Sequence, residues 1–315
     1  MNIPICFATN NNYAPHAAAL IVSVMDNKSP DDEITFFCFG DQLARETKET
    51  FKAMSSQLGF TLHFFEVNDE LLKDAPDFHG GKTAYFRLLI PRLLPETLTK
   101  ILYLDCDMIV MDSLAELFAT DISDQYAAVV GEALKMPHFP ICSPFDKSMY
   151  FNSGMLLLNT EKYRQDNIEK KAFEFIKEHP EWIQFGDQDV FNAVFAGRVV
   201  DVPLRWNVIA HLYVSYFPLV NYLTFPAIGW RLPKRFWRQL RQAERNPGIV
   251  HFTNTKPWDG GCNAPLRKLY WNYVKKTPFY ESVRFSWRRV RRNILNVFLL
   301  GHLPALDYLL MVRKK

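Results

Sequence analysis

Short apolar, β-rich runs alternate with helix-length amphipathic segments through the first half of the chain, and this alternation constrains the fold more than any other feature. IPICFA (3–8), a helical stretch near 14–27, EITFFCFG (33–40), a second near 41–57, FTLHFFEV (60–67) and a third near 83–94 lead into ILYL (101–104). Such an order implies an α/β protein with a mostly parallel sheet and helices on both faces. Further strands are expected at AAVVGE (127–132), MYFNSGMLLLN (149–159), VVDVP (199–203) and GIVHFT (248–253), with helices at 161–179 and 187–197. The segment 204–247 is aromatic and basic without clear periodicity. The chain's 315 residues, 48% hydrophobic, suffice for one large domain or two small ones. We expect one domain over 1–276 and a separate tail over 277–315.

In ILYLDCDMIV (101–110) two carboxylates, Asp105 and Asp107, interrupt a buried strand two residues apart. An unpaired carboxylate is costly to desolvate, so each needs a partner. On extended backbone both would project to one side, where they could share a hard divalent cation; the plainer reading is a strand-end pair that caps a helix or meets an arginine. The spelling alone does not decide, because Asp187-Gln188-Asp189 repeats it at the start of an expected helix.

Two other stretches carry chemistry. In GIVHFTNTKPW (248–258), His251 ends a strand and Lys256 follows five residues later before the rigid Pro257-Trp258. A strand-end histidine can donate nitrogen to a metal and such a lysine can reach a phosphate, although a core histidine and an ordinary turn fit the same letters. In MYFNSGMLLLN, Asn152 and Ser153 lie inside apolar sequence beside a bulge-prone Gly154.

Taken in order, FATNNNYA, TAYFRLLIP, LYLDCDMIV, YFNSGMLLLN, GDQDVFN and HFTNTKPW resemble glycosyltransferase family 8, the family of glycogenins and bacterial lipopolysaccharide galactosyl- and glucosyltransferases. The resemblance spans roughly 1–275. It implies a GT-A fold, with a Rossmann-like central sheet, and a retaining hexosyltransferase that uses Mn²⁺, with Mg²⁺ as the alternative, and a UDP-sugar donor, UDP-galactose or UDP-glucose. It further implies that Asp105, Asp107 and His251 bind the metal, that Lys256 assists at the diphosphate, and that Cys106 and Asn254 border the same group. Ala8, Asn10 and Asn12 match the loop near uracil and ribose, with Tyr13 stacking on the base. Arg87 matches an arginine near the donor phosphate and sugar, and Asn152, Ser153, Asp187 and Gln188 match positions around the transferred sugar. Gln188 and Asp187 are the catalytic candidates, with Gln188 near the anomeric carbon and same-face attack favoured over a covalent intermediate. Asn10 stands where the family often has Asp, Asn254 where Gly is frequent, and Glu132 near a frequent sugar-binding Asp.

Charge distribution points to the partner. Residues 284–315 hold eight basic residues against one acidic residue, leaving −4 for the remainder of a chain whose formal net charge is +3. Basic groups interleaved with Trp287, Ile294 and Phe298 suit an anionic membrane surface; no groove-reading motif suggests nucleic acid. Five scattered cysteines suggest neither disulfides nor zinc, and the N-terminus lacks a signal pattern, which fits a cytoplasmic enzyme held peripherally on the inner membrane face. A glycolipid acceptor, lipopolysaccharide or lipooligosaccharide core, follows by family analogy. The alternatives are glycogenin-like self- or protein glucosylation and a non-catalytic, membrane-attached nucleotide-sugar binder.

Overall fold

The computed structural model describes residues 1–67, 72, 75, 82–131, 150–210, 234–253, 256–259, 262 and 264–284. In chain order the elements are β1 (Asn2–Asn10), α1 (Ala14–Asn27), β2 (Glu33–Asp41), α2 (Arg45–Leu58), β3 (Thr61–Glu66), a 3₁₀ segment (Thr83–Leu89), α3 (Ile90–Leu93), β4 (Lys100–Leu104) and β5 (Met108–Val110). Then come α4 (Ala115–Phe118), β6 (Ala127–Val129), β7 (Met155–Asn159), α5 (Thr160–Gln165), α6 (Ile168–Glu178), α7 (Asp187–Val194) and β8 (Val199–Asp201). They are followed by a 3₁₀ turn (Leu204–Asn207), β9 (Val208–Ile209), α8 (Lys234–Arg245), β10 (Ile249–His251), α9 (Arg267–Val274) and α10 (Tyr280–Arg284). The tail beyond 284, Glu132 and Asn254 lie outside the described residues.

The chain divides into two compact units. The first, Met1–Ala14, Ser29–Cys106 and Leu114–Val202, holds a seven-stranded sheet in the order β3-β2-β1-β4-β7-β6-β8. Strands β3 to β4 pair in parallel, β7 runs antiparallel to both β4 and β6, and β8 is parallel to β6. The apolar runs of β1, β4 and β7 are buried along nearly their whole length because each has a neighbour on both sides and layers on both faces. Edge strand β3 instead alternates between exposed and half-buried residues. Strand alternation sorts the two faces: Cys6, Phe37 and Tyr103 join a core with Tyr85, Phe175 and Phe191, whereas Phe7 and Phe36 turn the other way, Phe7 onto Phe51 of α2 and Phe36 onto Phe60.

The second unit, Pro15–Lys28, Asp107–Ser113 and Pro203–Lys315, is organised around the three-stranded sheet β5-β10-β9. Its core gathers Ala19, Ile109, Val250, Phe252, Tyr270 and Trp271. Gly248 leads into β10 where a Cβ would meet the Trp206 ring at 2.6 Å, so only glycine lets the strand pass this close.

Four expectations change on folding. The run ILYLDCDMIV is not one strand: Ile109 and Val110 belong to β5 and pair with Val250 and Ile249 of β10, while β4 stays in the large sheet. The expected helix over 83–94 is 3₁₀ to Leu89, because Pro91 cannot donate to the carbonyl of Arg87 and the Ile90 N–H takes it instead. The helix over 161–179 is broken by Asn167, left-handed at φ 53°, which lets Ile168, Ala172 and Phe175 reach the core. The strand over 149–159 starts only at Met155, because the Asn152 side chain accepts the Gly154 N–H (3.0 Å) and turns the chain ahead of it.

Candidate active site

In the first unit, parallel pairing of Ile5 with Leu102 and Cys6 with Tyr103 sets the carboxyl ends of β1 and β4 side by side. Cys106 Sγ donates to the Ala8 carbonyl (3.1 Å), tying the two ends together. Past β1, Asn10 Oδ1 accepts the Tyr13 N–H (3.0 Å), a turn that leaves Tyr13 38% exposed, a flat aromatic surface open to solvent. Asn12 is exposed beside it. The loop is pinned by Asn11, a residue the sequence reading did not single out: it donates to Gln42 O (2.9 Å) and accepts from Ala44 N–H (2.9 Å) and the Thr47 hydroxyl (3.1 Å).

Arg87, on the buried 3₁₀ segment, is the electrostatic centre of this unit. Its Nη2 lies 2.9 Å from Asp105 Oδ1 and its Nε 3.2 Å from Asp187 Oδ2; Nη1 donates to Ser153 O (2.9 Å) and Nε to Ala84 O (3.0 Å). The guanidinium also covers the Tyr103 ring at 4.5 Å, and the Tyr103 hydroxyl donates to Asp105 Oδ1 (2.7 Å). Burial disfavours the charge, but Asp105 and Asp187 outweigh it and keep the guanidinium protonated. Arg87 is thus the arginine that one reading of the Asp-x-Asp triplet demanded, and it serves both triplets.

Gly186 enters α7 at φ 61°, ψ −129°, backbone open essentially to glycine, and this turns Asp187, Gln188 and Asp189 onto three separate tasks. Asp189 accepts the backbone N–H groups of Gln184 and Phe185 (both 2.6 Å) and the Tyr150 hydroxyl (2.7 Å), a purely structural set. Gln188 is half-buried, with Oε1 accepting from Asn152 Nδ2 (2.8 Å) and Nε2 donating to Tyr150 (2.8 Å), so its amide orientation is fixed. Asp187 is buried, and its Oδ2 receives the charge of Arg87 without a hydrogen bond, since the Nε–H points to Ala84.

Burial raises the Asp187 carboxyl from 3.8 to about 6, with Arg87 opposing and Asp105 adding to the rise. Between those two pH values the unfolded carboxyl has lost its proton while the folded one retains it, so the folded state binds more protons and stability falls as pH rises. In metal-free protein the stability of wild type relative to Asp187→Asn should therefore drop by about 2 kcal/mol between pH 4 and pH 7. Urea denaturation of both proteins across that range checks this; a flat difference would remove the buried-carboxyl account.

In the second unit, Asp107 sits between Lys256 and His251. Its Oδ2 pairs with Lys256 Nζ, and its Oδ1 lies 3.3 Å from His251 Nε2. Burial alone would raise its pKa, but Lys256 and His251 prevail and hold the carboxylate well below its usual range. His251 Nδ1 faces Asn207 Oδ1 at 2.9 Å; an amide oxygen only accepts, so Nδ1 carries the proton and Nε2 has its lone pair toward Asp107. Two such acceptor atoms need a cation between them, either a proton on Nε2 or a metal. Their 3.3 Å spacing is close to the roughly 3 Å edge of an octahedron with about 2.1 Å bonds. The donor set therefore fits a hard divalent ion.

The lysine loop has its own support. Trp258 stacks on His16 of α1 (3.3 Å between centroids, 9° between planes), and His16 Nδ1 meets the Tyr270 hydroxyl at 2.6 Å. Burial lowers the His16 pKa to about 3, so the ring is neutral and stacks as an apolar plate. Neither His16 nor Tyr270 carries a motif that sequence reading would notice.

The expectation that Asp105 and Asp107 project alike from extended backbone is corrected: residues 105–107 form a turn, and the two carboxylates meet different cations, Arg87 and Lys256. One residue separates them, so the peptide itself keeps them neighbours. Within the second unit, Asp107 and His251 can each offer a ligand atom to one ion, and Asp105 is the carboxylate two positions before Asp107 in the chain.

Residues 4–262 match the model of Glycosyl transferase family 8. The chain is 28% identical over 282 residues to General stress protein A of Bacillus subtilis, covering 88% of this chain and 94% of that one. It is also 28% identical to the lipopolysaccharide 1,3-galactosyltransferase of Salmonella typhimurium, covering 87% and 78%. The crystal structure of an active-site mutant of LgtC superimposes with a TM-score of 0.75 at 26% identity, over 88% of this chain and 96% of that one. The fold is thus the GT-A arrangement expected from the sequence motifs, and the chain belongs to glycosyl transferase family 8.

Proposed function

We propose that this glycosyltransferase moves a hexose, galactose or glucose, from a UDP-sugar to a glycolipid acceptor of the lipopolysaccharide core type, with retention at the anomeric carbon. The observation that carries the reading is Asp107, held between a histidine whose lone pair is presented to it and a lysine that can exchange a carboxylate for a phosphate. Asp107 and His251, joined by Asp105, would hold Mn²⁺ or Mg²⁺; when bound, that ion supplies a Lewis acid at the diphosphate. Lys256 offsets negative charge on the departing UDP, and the Trp258–His16 stack fixes the loop that presents it. The exposed face of Tyr13 takes the base, and Ala8, Asn10 and Asn12 border the nucleoside.

Each guanidinium nitrogen of Arg87 faces a protein oxygen, so Arg87 would act near the donor phosphate and sugar chiefly by fixing Asp105 and Asp187. Asp187, buried and facing Arg87, supports the floor of the sugar subsite in this reading. Gln188 and Asn152, half-buried and locked together, lie beside it as the polar edge of the sugar subsite, and we place Gln188 near the anomeric carbon in a same-face attack. Relatives named as lipopolysaccharide glucosyl- and galactosyltransferases support the glycolipid acceptor. A cytoplasmic enzyme bound to the inner membrane face, assisted by the basic tail, is consistent with that acceptor; among the described residues no helix is long and apolar enough to cross a membrane.

The test is release of UDP from a panel of UDP-sugars with and without Mn²⁺. UDP-galactose or UDP-glucose should be hydrolysed in a metal-dependent manner, and Gln188→Ala should slow turnover while leaving UDP affinity unchanged. Absence of hydrolysis across the panel would leave a nucleotide-sugar binder instead.

A further inference from the structure

Helix α8, KRFWRQLRQAER, falls in the segment whose periodicity was not legible, and it carries five basic residues against one acidic one. Leu240 and Ala243 are buried, on the side where the helix packs against the 3₁₀ turn Leu204–Asn207. Arg238, Arg241 and Arg245 are exposed. At 100° per residue they fall within an arc of about 60°, opposite the buried pair, along roughly 10 Å of helix. None of the three makes an ion pair among the described residues. Like charges one turn apart weaken a helix, and an ordinary solvated face relieves this with acids at the same spacing. Here Glu244, three residues after Arg241, is the single acid at that spacing, and Arg238 and Arg245 have none.

We propose that this arginine face is a docking surface for an anionic phospholipid bilayer, separate from the C-terminal tail. The stripe is straight and lines one side of a helix, which matches a plane of phosphates. A straight stripe does not enclose a single phosphate group. No large apolar side chain is exposed on the described part of the face, so attachment there is electrostatic and loosens with salt. The surface goes beyond the proposed transfer reaction and does not depend on which acceptor is used.

Full-length protein is floated with vesicles containing about 30% phosphatidylglycerol and with pure phosphatidylcholine. Replacing all three arginines by glutamine should weaken binding to the anionic vesicles on the order of a hundredfold at low salt, at about a factor of five per basic residue. Replacement by lysine should preserve it, and binding to phosphatidylcholine should be unaffected. UDP release by the glutamine variant should equal wild type, which shows an intact fold. Unchanged affinity for anionic vesicles would overturn the assignment. So would a loss confined to DNA or RNA binding, or dependence on a phosphorylated glycolipid in otherwise neutral vesicles.

Discussion

Asp107→Asn should abolish metal-supported turnover of the UDP-sugar, by about a thousandfold or more. The substitution keeps the side-chain volume and leaves Lys256 without its carboxylate, and that lysine, 21% exposed, can turn toward water. The fold should therefore survive, with a change in melting temperature of a few degrees. What is lost is one anionic ligand, and with it several kcal/mol of stabilisation of charge on the leaving diphosphate. Two measurements separate this from a folding defect: Mn²⁺ affinity by calorimetry without nucleotide, expected to weaken, and circular dichroism, expected to be unchanged. Turnover within tenfold of wild type would remove Asp107 from the metal site.

Arg87→Met should produce the largest loss of stability of any single substitution in the first unit, about 3–5 kcal/mol. The methionine fills much of the space but leaves Asp105 and Asp187 facing each other's charge without the guanidinium. It also strands the Ser153 and Ala84 carbonyls that Arg87 serves. Lysine at this position has one charged atom and cannot meet two carboxylates and two carbonyls together, so Arg87→Lys should recover only part of the loss. Adding Asp187→Asn to Arg87→Met should recover more, because it removes one uncompensated charge. Denaturant titration of the four proteins checks the series; a loss below about 1 kcal/mol for Arg87→Met would mean the two carboxylates are paired elsewhere.

Much of the candidate site was legible because its residues announce themselves locally. Asp105 and Asp107 break an apolar strand, His251 ends another, and Lys256 precedes a rigid Pro-Trp. Each is a polar residue where burial makes polarity costly, so each asks for a partner. What the letters did not reveal were the partners. Asp105 and Asp107 are of the same type and only two positions apart, yet one joins Arg87 and the other Lys256 and His251. Asp187-Gln188-Asp189 spells a second triplet, but the positive-φ entry at Gly186 gives Asp189 a backbone-capping role, pairs Asp187 with Arg87 and locks Gln188 to Asn152 and Tyr150. Asn11, His16 and Tyr270 escaped notice because their interactions are made with residues 31 to 254 positions away.

The sequence by itself determined the strand and helix order of the first half, the large parallel-biased sheet and which buried charges need partners, since strand periodicity and the penalty for burying charge are local properties of the chain. Tertiary structure alone decided that ILYLDCDMIV serves two sheets, that a proline forces a tight 3₁₀ segment to carry Arg87, and that each carboxylate has its own cation. Those outcomes depend on strand register and on which side chains meet after the chain has closed. Local pattern does not encode such meetings.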